Sequence, residues 1–398
     1  MNIVRTQENP IISLDYLSMV MLSLPLFLLS IVALNGSLAP ISLFILMLTF
    51  GYVLIVLFSN KSEIFLKTKL FVFFFSLYLS YSLINHYFLL SFSPKNLPFN
   101  YVDEGTFYSL SNFGLLYIFG EKNFFDIFSV YEFSEMPLHI VFTSMIAYLS
   151  ILTDSTNMIM AQKILPPFLG GMLSVVLYST LKYQFQDRTF SLNATFAYSL
   201  LSVLFMYSTV LLRDIDIALA YMIFFYLFLQ KNSISNLLWL FIVAYTTIYL
   251  RSESGMLLFS LILLYIYLYA REVQSKAVKL ILYLISIILI SFVFILKYNM
   301  IIGKIISLNE AKLARTVGMA STGSIAVHFN KLPFGISHTA KVLFAQMQPF
   351  PFFKDIASLP PYAISGIAWP FVFMMMLYVM IKKNIRVLHL QNPFCFKT

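Results

Sequence analysis

Long, unbroken apolar runs constrain this chain more than any other feature. They cover roughly residues 11–34, 38–58, 70–92, 137–153, 164–181, 190–211, 217–230, 236–250, 255–270, 280–296 and 363–381, and nearly every charged residue falls between them. About 20 residues of helix cross a bilayer, and backbone amides in lipid must be satisfied within the segment or in a closed barrel. These runs are continuous rather than alternating, so they read as helices and not as barrel strands. The composition agrees: 60% of residues are hydrophobic and 11% charged, with a mean hydropathy of +0.85. A soluble domain carries about 25% charged residues, so a soluble chain of this size would lack the polar groups to cover its surface. The expected fold class is all-α, a polytopic transmembrane helical bundle forming a single integral membrane domain over 1–398. The first run is followed at once by others and reads as a retained span, not a cleaved signal.

The net charge of +9 does not point to nucleic acid, because the basic residues sit in short loops and the tail rather than along one stripe. Cys395 is the only cysteine, which excludes an intramolecular disulfide and a cysteine metal site. The basic residues instead orient the chain. Lys61, Lys67 and Lys69 read as one cytoplasmic loop, Arg271, Lys276 and Lys279 as another, and the tail 382–398, with Lys382, Lys383 and Arg386, as a third. Three spans from a cytoplasmic N-terminus then leave 93–136 outside. Its acids Asp103, Glu104, Glu121, Asp126, Glu132 and Glu135, against Lys95 and Lys122, agree with that side.

The return to the cytoplasm at Arg271 requires an odd number of crossings, yet six apolar runs intervene. The run 137–153, with Pro137 and His139 at its start, is the one expected to lie on the outer surface or re-enter. About ten spans remain, with both termini inside. This parity places Arg213, Asp214 and Asp216 outside, together with Arg251, Glu253 and the basic loop 298–362. The expectation is one charged chamber on the outer face.

Three groups in that chamber carry candidate chemistry. Asp103-Glu104 is a carboxylate pair: in a closed polar cavity each would raise the other's pKa and one would serve as general base. The plainer alternative is a helix N-terminus, capped by Asp103 with Glu104 in the first turn. Arg213-Asp-Ile-Asp216 sits at the outer end of a run, where ionisable residues are functional candidates, though a local ion pair that ends the span reads equally well. Arg251-Ser-Glu253 fits an ordinary turn, raised in interest by its side. In the late loop, a helix over 304–317 would put Lys312 and Arg315 on one face, fit either for a pyrophosphate or for anionic headgroups. His328, His338, Lys331 and Lys341 lie further along the same loop. No phosphate-binding glycine loop, serine–histidine–aspartate order or HExxH motif is present.

The order of these features resembles the GT-C class of membrane glycosyltransferases. Asp103-Glu104 occupies the place of the acidic motif in the first large outer loop, and Met136-Pro-Leu-His139 that of the surface segment. The runs 164–181 and 190–211 flank a basic turn with Lys182 and Arg188, and Asp214 and Asp216 fall where a second acidic motif is found. Tyr249-Leu-Arg251-Ser-Glu253 looks like the arginine-containing turn seen later in such proteins. The resemblance covers roughly residues 100–255, and it departs in having three spans before the acidic loop where that class has one. Size, span count and the late outer loop also resemble bacterial O-antigen or capsule repeat-unit polymerases.

The resemblance implies a GT-C-like bundle in a bacterial inner membrane, with two large periplasmic loops and a polyprenyl-pyrophosphate-linked oligosaccharide as substrate. It implies Asp103 or Glu104 as general base, with Arg213, Arg251 and Arg315 stabilising the departing pyrophosphate. Asp214 and Asp216 would orient these arginines or hold a divalent cation. Glu253, Lys312, His328, His338 and Lys341 would complete the substrate site. The partners implied are membrane lipid, the lipid-linked glycan and other polysaccharide-assembly membrane proteins. The alternatives are a GT-C transferase adding a single sugar from a polyprenyl-phosphate donor, and a lipid-linked oligosaccharide flippase.

Overall fold

The computed structural model describes residues 10–89, 102–120, 122–128, 136–156, 159–202, 204–230, 233–272, 275–277, 279–287 and 291. Among them every regular element is helical: α1 (Pro10–Leu34), α2 (Ala39–Phe58), α3 (Ile64–Ile84), α4 (Val102–Ile118), α5 (Pro137–Asp154), α6 (Ile159–Gln162), α7 (Leu165–Phe185), α8 (Arg188–Leu201), α9 (Leu204–Tyr207), α10 (Asp214–Leu229), α11 (Ile234–Leu250) and α12 (Ser252–Glu272). Six stretches among the described residues are long and apolar enough to cross a membrane: Leu14–Leu34, Ala39–Phe58, Ile64–Tyr87, Pro137–Asp154, Ile159–Phe185 and Ser254–Arg271. The outward faces of α1 and α2 carry Tyr16, Met19, Phe27, Ile45, Phe50 and Leu57 in the open, a surface that water would not tolerate over this length. Hydroxyls on these helices turn back onto their own carbonyls, as Thr49 does on Ile45 and Ser174 on Gly170, which meets their donors within the helix.

The chain divides into two compact units, 1–200 with 204–265 and 201–203 with 266–398. The first unit is centred on the packing of α3 against α1 and α7. Phe44, Phe71, Phe74 and Phe75 of this core are at most 1% exposed. Phe168 of α7 sets its ring edge-on to both Phe71 and Phe75. Tyr78 donates to the Ser199 carbonyl at 3.0 Å, and Tyr178 donates to Glu63 at 3.0 Å. Glu63 lies just before α3 and Tyr178 near the end of α7, so these two helices run antiparallel.

Polar tethers fix the direction of the others. Lys69 pairs with Asp15 near the start of α1, so α1 and α3 run parallel. The charge pattern alone places Lys67 and Lys69 in a loop, and the structure corrects this. α3 begins at Ile64 and takes both into its first two turns, where Lys69 also lies 3.3 Å over the Phe65 ring. An ion pair and a ring face stabilise a helical position for a lysine that water would otherwise claim. Two further differences concern helix boundaries. The segment 93–136, expected as a loop, contains the 17-residue α4 and a short 3-10 turn, Phe124–Phe128. The run 190–211 is not one helix: α8 ends at Leu201 and α9 at Tyr207. Of the runs expected further on, 280–296 is described as helix over 279–287, while 363–381, the loop 298–362 and the tail 382–398 lie outside the described residues.

α5 is bound at both ends to one end of the bundle. Asp154, its last residue, accepts from Ser37 Oγ (2.8 Å) and from the amides of Leu38 (2.9 Å) and Ala39 (2.8 Å), in the turn between α1 and α2. His139, in its first turn, meets Asp216 at the start of α10. The α1–α2 turn is opposite to the Glu63 end by the direction of α1. The start of α10 is opposite to it too, since Glu104 ties Lys163, two residues before α7, to Leu211, three residues before α10.

Candidate functional site

The Glu104 end of the bundle gathers ionisable groups out of contact with solvent. α4 presents them on one face. Glu104, Phe107 and Ser111 recur at spacings of three and four, the repeat that aligns side chains along a helix. Glu104 is fully buried, with its Oε1 3.1 Å from Lys163 Nζ and accepting from the Leu211 amide at 3.1 Å. Phe107 sets its ring edge to His139 with centroids 4.9 Å apart. The Ser111 hydroxyl accepts from Gln162 Nε2 at 2.7 Å, and its carbonyl accepts from Ser144 at 2.8 Å. Close approach of α4 and α5 depends on Gly114, where an added Cβ would lie 2.1 Å from Ser144 Oγ.

The break between α9 and α10 has a reason in the same place. In a continued helix the Leu211 amide would bond the Tyr207 carbonyl. Here it points at Glu104, and Thr209 and Ser208 bond back to Met206 and Leu204. Val210, Leu211 and Leu212 pack with Phe107 in one apolar cluster, which seals the ion pair from water. In so dry a setting a charge left alone costs several kcal/mol. Lys163, at 1% exposure, therefore has its carboxylate within reach as a condition of folding.

Beside this pair lies a second. His139 Nδ1 and Asp216 Oδ2 are 2.5 Å apart, and the two side chains are 1% and 2% exposed. Asp216 lies in the first turn of α10, a favourable position for a carboxylate in the helix dipole. The other polar atom of each partner, His139 Nε2 and Asp216 Oδ1, is buried without a hydrogen-bond partner among the described residues. The dyad is flanked by the α11–α12 turn: Leu138 packs with Ile217, Ala220 and Leu250, and the Tyr221 hydroxyl reaches the Ser254 carbonyl at 3.4 Å.

The fold brings some of the residues selected from sequence together and leaves others apart. Asp103 and Glu104 both fall in the first turn of α4, which begins at Val102. Glu104 faces inward as an ion-paired carboxylate. Arg213 immediately precedes α10 and is half-buried, Asp214 is the first residue of that helix, and Asp216 turns to the buried histidine. Arg251 closes α11, exposed, with its amide on the Thr247 carbonyl, and Glu253 lies in the first turn of α12. Glu104 and the 211–216 segment are brought together directly. The 251–253 turn is joined to them through α10. Lys312, Arg315, His328, His338 and Lys341 lie outside the described residues. Among the described residues, no three histidine, cysteine or acidic side chains cluster as a metal site would require.

Sequence reasoning does not select Lys163, Gln162 or His139 for the site. Lys163, beside Gln162, interrupts the apolar stretch Met158-Ile-Met-Ala-Gln-Lys-Ile-Leu165, and a lysine in such a setting implies a buried counterion. His139 is visible in the Met136-Pro-Leu-His139 segment, but only the fold reveals its carboxylate, 77 residues away. No family model matches this chain, and neither a curated protein nor a solved structure does.

Proposed function

We propose that this chain is a membrane glycosyltransferase that takes its sugar from a polyprenyl-linked donor, foremost a repeat-unit polymerase of bacterial surface polysaccharide working on the periplasmic face. The observation that carries the reading is the convergence of Glu104, Lys163, His139 and Asp216 at one end of a lipid-facing bundle, with the 211–216 segment among them. Transfer of a glycan from a lipid-linked pyrophosphate needs a group to take the acceptor proton and cations to meet the departing phosphate, placed where a lipid chain can lie alongside. An apolar bundle with the Glu104–Lys163 and His139–Asp216 pairs both buried at one end has that layout. In the proposed orientation the Glu63 end, with Lys61, Lys182 and Arg188, faces the cytoplasm. About ten spans, inner-membrane residence and the roles of Arg213, Arg251 and the late basic loop belong to the same proposal.

A second reading has one observation in its favour. The interruption between α8, α9 and α10 leaves non-helical backbone beside buried charges, as the broken helices of transporters do. A flippase for lipid-linked oligosaccharide would move its substrate without making a bond.

The deciding experiment uses purified full-length protein in liposomes with labelled polyprenyl-pyrophosphate-linked oligosaccharide. Covalent products longer than the starting unit support the polymerase. Products larger by a single sugar identify the simpler transferase, and translocation without new bonds identifies the flippase. In cells, Glu104→Gln, Asp103→Asn and Arg213→Ala are expected to shorten or abolish the polymer ladder at normal expression. A full ladder from all three would remove Asp103, Glu104 and Arg213 from the catalytic assignment.

A further inference from the structure

The dyad of His139 and Asp216 shares its level of the fold with Glu104, yet the two carboxylates are in opposite situations. Glu104 Oε1 is occupied twice, by Lys163 and by the Leu211 amide. A carboxylate that neutralises a buried ammonium and caps a backbone amide is poorly placed to accept a further proton, because protonation would strand the lysine. His139 is in the reverse position. One ring nitrogen is committed to Asp216 and the other is buried without a partner among the described residues.

An ionised Asp216 accepts from Nδ1–H, which fixes the tautomer. The lone pair of a neutral ring is then on Nε2. Asp216 also stabilises the imidazolium that forms when Nε2 takes a proton. Leaving a buried donor or acceptor unmet costs on the order of 1–3 kcal/mol. Two such atoms on a single dyad, Nε2 of His139 and Oδ1 of Asp216, indicate a small polar group that completes them. Phe107 shields one side of the ring and holds it against rotation.

We propose that His139, held by Asp216, is the general base that takes the proton of the acceptor hydroxyl. This rests on the transferase reading above and moves the base from the Asp103-Glu104 pair to a histidine. The step balances. The hydroxyl oxygen attacks the anomeric carbon and forms the new C–O bond while its proton passes to Nε2. The bond from that carbon to the pyrophosphate oxygen breaks, and the lipid pyrophosphate leaves with the electron pair. His139 ends as imidazolium beside Asp216 and returns its proton to water before the next cycle. The charged groups on the elements packed around His139 are Glu104 of α4, Lys163 next to α6, Asp214 and Asp216 of α10 and Arg251 closing α11.

The test compares wild type, His139→Gln and Asp216→Asn as full-length proteins in liposomes with labelled polyprenyl-pyrophosphate-linked oligosaccharide, following kcat and KM across pH. His139→Gln is expected to lower kcat by at least about a hundredfold with little change in KM, and to abolish the acidic limb of the pH profile. Asp216→Asn is expected to lower kcat less and to alter that limb, because the ring loses the carboxylate that holds it. A latch that merely joins α5 to α10 would lower the melting temperature of both variants but leave the wild-type limb in place. Activity of His139→Gln within a few-fold of wild type, or an unchanged limb in Asp216→Asn, overturns the assignment. If neither variant accumulates, a wild-type profile without an acidic limb overturns it, and one with a limb that titrates as a single group supports it. A wild type that forms no product fails the transferase reading instead, which keeps the two claims separable.

Discussion

Both ends of the bundle hold ion pairs, in different surroundings. At the Glu63 end, Lys182 and Glu63 are 35% and 13% exposed, Tyr178 shares the carboxylate, and Arg188 is close enough to act on it. At the Glu104 end, Lys163 and Glu104 are 1% and 0% exposed, and His139 and Asp216 are 1% and 2%. Charges near solvent cost little and return little. Charges in a dry interior are costly unless matched, and for stability alone leucines of similar volume would serve as well or better. The Glu63 end therefore reads as a place where helix ends are tied together. The Glu104 end, where both partners of each pair are buried, reads as a place kept polar for chemistry.

The largest expected effect breaks the buried pair. Lys163→Met leaves Glu104 buried without its cation and should destabilise the fold by about 3–5 kcal/mol, read as a fall in melting temperature in detergent. Adding Glu104→Leu should recover much of that loss, because two apolar side chains replace a buried pair at little cost. The double variant should be stable and inactive. A single variant as stable as wild type would show that Glu104 and Lys163 are not sealed from water, and the contrast between the two ends would fall.

How far these ends could be read in the sequence depends on the range of the interaction. Part of the helical layout was legible, because apolar continuity is local: α1, α2 and α7 fall where the runs place them, whereas α4 and the break between α8 and α9 do not. Grouping Glu104 with the 211–216 segment was legible by counting crossings, a global but one-dimensional argument. The pairings were not. Nothing along the chain links Glu104 to Lys163 rather than to Arg213, or Asp216 to His139 rather than to an arginine, since each choice is made by packing of α4, α5 and α10. The lysines of α3 mislead for the same reason: Lys69 is a helix residue only because Asp15 and Phe65 wait for it.

The next effect concerns the packing that holds the polar end to the core. Gly170 on α7 meets Ser208, where an added Cβ would lie 2.3 Å from Oγ and 2.5 Å from Cβ of that serine, with Tyr78 at 2.9 Å. Gly170→Ala should therefore cost about 1–3 kcal/mol by overpacking. It should also disturb the 208–211 turn that offers its amide to Glu104, so activity should fall with stability. A stable Gly170→Ala with normal activity would mean that α7 can retreat without moving the site. Smaller again is Asp154→Ala, which orphans the Leu38 and Ala39 amides at the start of α2. A loss of about 1 kcal/mol is expected, measured as a lower melting temperature, with the pH dependence of activity unchanged because the dyad at the far end of α5 is untouched.

The smallest effect belongs to the Glu63 end and tests the comparison from the other side. Burial draws the Glu63 carboxyl upward, but hydrogen bonds from Lys182 and Tyr178, with the charges of Lys182 and Arg188, outweigh it and hold the group below its ordinary 4.5. A carboxylate with a depressed folded value contributes stability that is complete above its unfolded value and is lost as pH falls through the folded one. Wild type should therefore lose melting temperature as pH drops below 4.5, whereas Glu63→Gln should start slightly lower near neutrality and show a flatter acid decline. The difference near neutrality should stay under about 1 kcal/mol, because the pair is partly in solvent. Transferase activity at neutral pH should survive the substitution. If Glu63→Gln instead abolished activity while leaving the melting temperature unchanged, the chemistry would have to be sought at the Glu63 end, and the buried dyad would be the tie.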